Sequence, residues 1–96
     1  MTEAPIESTS TFATPDHVLA RNVGNEAVLL QLELEEYFGL DPVGRLGWEL
    51  LTAGHDIGGA ARLISEEYDV SAERAQSDLV GFAGQLLKAG LLVHVA

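Results

Sequence analysis

Residues 27–54 read AVLLQLELEEYFGLDPVGRLGWELLTAG, and the fold turns on the change of pattern within them. AVLLQLEL is a β-rich, largely apolar run, Glu33–Glu36 supplies a polar connection, and YFGL follows as a short aromatic strand. Successive strand residues face opposite ways, so Phe38 and Leu40 share one face while Tyr37 and Gly39 share the other. At Asp41-Pro42 the period becomes helical. Asp41 is placed to cap, and Pro42 suits the first helical position, where a missing N–H costs nothing. Val43, Leu46, Gly47 and Leu50 then fall on one face, with Leu51 beside it, until Gly54 ends the helix.

Upstream, HVLARNV (residues 17–23) alternates, and Gly24-Asn25 is a turn signal because both residues tolerate positive φ. Three consecutive strands in a meander are expected, with YFGL at an edge because it comes last. Residues 1–16 contain Ser, Thr and Pro without a hydrophobic period and read as a flexible arm, leaving residues 17–96 as the folded domain.

Downstream, Asp56 can cap a second helix with the apolar stripe Ile57, Ala60, Ala61, Ile64 and Tyr68. Ser71 can cap a third, with Glu73 in its first turn and Ala75, Leu79, Phe82, Ala83 and Leu86 at helical spacing, stopping at Gly90. Leu91–Val95 is a last extended piece. The tight link between the second and third helices suits a helix-turn-helix pair. The expected class is α+β: winged helix-turn-helix-like, a three-stranded antiparallel N-terminal sheet followed by three helices.

Charge and composition exclude several functions. The 96 residues carry 5 Lys+Arg against 15 Asp+Glu, a formal net charge of −10. The five cations are scattered, so no basic face exists to neutralise phosphates, and neither nucleic acid nor membrane is an expected partner. With no cysteine there is no disulfide, thiol nucleophile or thiolate metal site. No apolar run approaches the length of a membrane span, and the opening residues lack the basic and apolar regions of a secretion signal, so a cytoplasmic location is expected.

No catalytic constellation emerges. His17, His55 and His94 have no partners at metal-ligand spacing, and surface or edge histidines are the simpler account. Glu33, Glu35 and Glu36 read as a solvated turn, since neighbouring side chains there point apart and nothing apolar isolates them. The glycines follow no phosphate-cradling pattern; Gly44 and Gly47, inside a helix, suggest close approach of another backbone. No enzyme activity, metal or cofactor is expected.

Binding is a different matter. An uncharged edge strand, Tyr37-Phe38-Gly39-Leu40, presents unpaired main-chain groups that can accept another chain. On the third helix Arg74, Asp78, Gly81 and Gln85 form a stripe beside Phe82, a candidate second wall. An ordinary core with a solvated helix face explains the same residues equally well.

The succession VLLQLELEEYFGLDPVGRLGWELL, ISEEYDV and AERAQSDLVGFAGQLLKAGLL resembles the PqqD-like family, the RiPP recognition elements, over roughly Val18 to Leu92. The most specific portions are YFGL with Asp-Pro-Val-Gly, the EYDV turn, and Asp78 with Gly90-Leu91-Leu92. The resemblance implies capture of the leader of a ribosomally made precursor peptide, antiparallel to the third strand and against the third helix. Carried over by position, the peptide-binding residues are Leu30, Leu32, Glu36, Tyr37, Phe38, Gly39, Leu40, Arg74, Asp78, Gly81, Phe82 and Gln85. Two departures stand: Asp41 replaces the family's usual Asn, and LEE replaces its glycine-containing turn. Standalone length and Asp-Pro-Val-Gly suit a discrete leader-binding protein of a lasso-peptide cluster, whose partners are a leader peptidase and a cyclase. The alternatives are a pyrroloquinoline quinone-type chaperone for a radical SAM enzyme, a winged-helix DNA-binding regulator, or an oligomerising structural module.

Overall fold

Regular structure begins earlier than His17, because Phe12 is 3% exposed and anchors a short strand, β1 (Phe12–Ala13). The computed structural model describes residues 5–95. The main sheet follows with β2 (Val18–Val23), β3 (Glu26–Gln31) and β4 (Glu36–Leu40), then α1 (Pro42–Thr52), α2 (Ile57–Tyr68), α3 (Ala72–Lys88) and β5 (Val93–His94). This is the α+β order expected, three antiparallel strands followed by three helices.

Gly24, at φ +64°, provides the backbone conformation that L residues avoid and lets the β2–β3 turn close in two residues. Val23 therefore pairs with Glu26, and Val18 with Gln31. The sheet runs β2-β3-β4, which leaves β4 at an edge, as the order of elements predicts. The middle strand ends sooner than AVLLQLEL suggests. The Gln31 side-chain Oε1 accepts from the N–H of Glu33 at 2.8 Å and of Leu34 at 3.3 Å, curling the chain into a turn over residues 32–35. Leu32 and Leu34 are consequently exposed turn residues rather than strand residues.

All three helix caps expected from sequence form. Asp41 Oδ1 accepts from Gly44 N at 2.7 Å, Asp56 Oδ1 from Gly59 N at 2.7 Å, and Ser71 Oγ from Arg74 N at 3.1 Å. Each satisfies one N–H that the helix itself leaves unbonded. Replacing Asp56 with Ala is expected to lower stability by about 1 kcal/mol, read as a lower urea midpoint with an unchanged slope.

The core lies between one sheet face and the helices. Leu29, Leu51, Ile57, Leu91 and Leu92 are its largest fully buried side chains, joined by Ala60, Ala61, Ala75 and Ala83 where α2 and α3 approach. The buried face of α1 differs from the stripe expected. Gly47, Trp48 and Leu51 are buried, Leu46 and Leu50 are half-covered, and Val43 is exposed. A helix packed against both a sheet and a second helix buries a wider arc than one stripe, and this brings Trp48 inside.

The chain ends pair with each other. β5 lies antiparallel to β1, with His94 opposite Phe12 and their rings 5.0 Å apart, rather than adding to the main sheet. Ser8 and Ser10 carbonyls accept from Gly58 N and Ile57 N at 2.8 and 3.2 Å, fastening this segment to the start of α2. Met1–Ala4 of the expected arm lie outside the described residues. No described helix is long and apolar enough to cross a membrane.

Candidate functional site

β4 brings two surfaces to one place. Its side chains alternate as its sequence predicts: Leu40 is buried and Phe38 half-buried against the core, whereas Tyr37 and Gly39 are exposed on the far side. Its main chain alternates too. Leu32 N donates to His17 O at 2.9 Å, which makes residues 17 and 32 a hydrogen-bonded pair at the end of β2–β3. From there the alternation of an antiparallel ladder turns the polar groups of Leu29 and Gln31 toward β4, where Phe38 and Glu36 meet them. The N–H and C=O of Tyr37 and Gly39 therefore point off the open edge. Among the described residues nothing lies within 4 Å of the position a Gly39 Cβ would take.

Between this edge and α3 runs a groove of about 820 Å³. Phe38, Gly39 and Leu40 form the strand wall; Arg74, Asp78, Phe82 and Gln85 line it from the helix. Arg74 Nε and Asp78 Oδ2 stand 3.8 Å apart, both well exposed, so this pair is free to exchange partners with an incoming chain at small cost. Most of the remaining lining is apolar, with Asp41 the one charged residue in it, and its exposed part comes from three places in the chain. Val43, Tyr68 and Val70, from α1, the end of α2 and the α2–α3 link, are each about two-fifths exposed (42%, 39% and 40%). Exposed apolar side chains drawn together from separate elements mark a binding surface more strongly than the same residues scattered.

Seven of the twelve candidate residues converge here: Phe38, Gly39, Leu40, Arg74, Asp78, Phe82 and Gln85. The other five, Leu30, Leu32, Glu36, Tyr37 and Gly81, do not line the groove. Leu30 sits opposite Tyr37 on the sheet's outer face, Leu32 is in the turn, and Gly81 has open space about it. Tyr37 contributes its main chain to the open edge and its ring to the opposite face.

Sequence reasoning missed Val43, Tyr68 and Val70. The first two lie on helical stripes whose period assigns them to the core, and periodicity cannot say where along a stripe cover stops. Gly47 also borders the groove, but the neighbour it accommodates is not backbone. A Cβ there would stand 3.3 Å from Leu79 Cδ1 and 3.4 Å from Phe82 Cε2, so the missing side chain leaves room for the Phe82 ring. At Gly44 the nearest atoms are Asp41 Oδ1 and Leu40 Cβ, again side chains.

The family model described as coenzyme PQQ synthesis protein D (PqqD) matches residues 26–92. Among solved structures, TbiB1 in complex with the TbiA(beta) leader peptide is 34% identical, with a TM-score of 0.81 over 88% of this chain and 98% of that one. Lasso peptide synthetase B1 complexed with the leader peptide shares the fold at 23% identity, with a TM-score of 0.79 over 85% of this chain and 96% of that one. No curated protein matches.

Proposed function

The chain belongs to the PqqD family, and on that premise we propose that it captures the leader of a ribosomally made precursor peptide as a strand added to β4. The leader is then presented to modifying enzymes; no chemistry is assigned to this chain itself. The observation that carries the reading is the open β4 edge facing an apolar groove walled by α3. Main-chain bonds along Tyr37 and Gly39 supply affinity, and the pocket around Phe38, Val43 and Phe82 selects side chains. Likeness over nearly the full length to TbiB1, solved as a leader-peptide complex, supports the same ligand class. A lasso-peptide pathway, with a leader peptidase and a cyclase as recipients, is our preferred setting over a chaperone serving a radical SAM enzyme.

The test is calorimetric titration of the chain with the synthetic leader of a precursor encoded beside its gene. Saturable one-to-one binding is expected; no heat and no shift in amide resonances of β4 would overturn the reading. Duplex DNA binding is disfavoured because α3 sets Glu73 and Asp78 against Arg74 and Lys88, which leaves no net positive charge on it.

Gly47→Ala offers a finer check. The methyl stands against Leu79 Cδ1 and the Phe82 ring, both of which line the groove, and requires them to give by a few tenths of an ångström. Helix propensity gains about 1 kcal/mol, offsetting the overpacking. Leader affinity is therefore expected to fall about threefold to tenfold, roughly 1 kcal/mol, while thermal stability hardly moves.

A further inference from the structure

The sheet has a second, outward face that the groove does not use. Leu19, Leu30 and Tyr37 are direct cross-strand neighbours, forming one apolar row across β2, β3 and β4. Leu19 is 50% and Tyr37 76% exposed, and Val23, on the same face of β2, is 62% exposed. The helical core lies on the opposite face, where α1 packs on β3 and β4 and Leu29, Ala27 and Leu40 are buried. Exposed apolar side chains in register across three strands form a continuous patch, which a lone soluble domain has no structural use for.

The rim of the patch is acidic. Glu26 pairs with Val23 at one end, and Glu33 and Glu35 stand exposed in the turn at the other; Arg21, between Leu19 and Val23 on this face, is the one basic residue on the three strands. With a formal net charge of −10, a second copy of this chain would bring like charge against like. A partner with an apolar centre and a Lys/Arg rim fits instead. We infer that the outer face of the β2–β3–β4 sheet docks the modifying enzyme that receives the leader, through an enzyme patch that is apolar and ringed by basic residues.

This rests on the leader-recognition reading, and the two are spatially separable. Phe38 and Leu40 point into the groove while Tyr37 points out of the other face, so peptide and enzyme occupy opposite sides of one sheet. Both can be bound at once, as handing over a tethered substrate requires.

The test uses the full chain and each modifying enzyme purified from its own gene cluster, measured by biolayer interferometry with saturating leader peptide present. Leu19→Lys is expected to weaken enzyme binding at least tenfold. The pair Glu26→Lys and Glu35→Lys should weaken it and flatten its salt dependence. In both, leader affinity should stay within twofold. Unchanged enzyme binding with leader binding intact overturns this inference alone, whereas loss of leader binding by the unaltered chain defeats the underlying reading. A dimer in sedimentation velocity that Leu19→Lys dissociates would also overturn it, assigning the face to self-association.

Discussion

Gly39→Pro is expected to lower leader affinity by about tenfold to a hundredfold while leaving the circular-dichroism spectrum and melting temperature close to those of the parent. The main-chain alternation makes this separation possible. Gly39 N–H points off the open edge, so proline removes a donor that the leader uses and not one that β3 uses. Losing one ladder bond and leaving its acceptor unpaired is worth roughly 1–3 kcal/mol. Gly39→Ala is the control, because nothing lies within 4 Å of the new Cβ. It should bind like the parent.

Phe38→Asp attacks the same groove through its side chain and is expected to abolish measurable binding. A carboxylate there replaces the apolar wall that Phe38 forms with Val43 and Phe82 by a charge that the leader's apolar side chains must desolvate. Some stability is lost as well, since Phe38 packs on the core. Leu40→Asp, by contrast, is a poor probe. Leu40 is only 8% exposed, so the variant reports on folding and not on the groove. Normal titration heats from folded Gly39→Pro and Phe38→Asp would remove β4 as the peptide's docking edge.

The second large effect concerns stability. Leu29 is 0% exposed at the centre of the middle strand, flanked by Ala20 and Phe38 on its neighbours. Leu29→Ala should cost about 2–5 kcal/mol from lost transfer energy and the residual cavity. In a domain of this size that lowers the melting temperature by roughly 10–30 °C, which differential scanning calorimetry will show. Leu30→Ala, one residue along on the outer face, should shift it by only a few degrees. Equal effects of the two would contradict the face assignment.

Much of this was legible along the chain. Asp41-Pro42 announces the switch from strands to helices because capping and proline geometry act within four residues. Asp56 and Ser71 cap their helices for the same local reason. The alternation in YFGL assigns Phe38 and Leu40 inward, and the order of strands places β4 at the edge. Propensity, turn chemistry and period are short-range, so neighbours in sequence suffice to read them.

Other features required the folded chain. Gln31 looks polar in an apolar strand, yet it is 3% exposed, because its side chain organises the following turn and lies against Gly90. A Cβ on Gly90, itself at φ +73°, would stand only 2.7 Å from Gln31 Nε2, a constraint invisible until residues 31 and 90 meet. Phe12 gives no periodic signal, yet it is buried through β5, whose strand partner lies some eighty positions away.

For the groove the division is the same. Sequence determined that Tyr37-Phe38-Gly39-Leu40 would be an uncharged edge and that α3 would carry Arg74, Asp78, Gly81 and Gln85 along one stripe beside Phe82. Only the tertiary structure decided that Val43, Tyr68 and Val70 complete the groove while Tyr37, Leu30 and Leu19 form a separate patch behind it. Periodicity fixes which side of an element a residue occupies. What covers that side depends on the crossing of elements distant in sequence, and no local pattern encodes it.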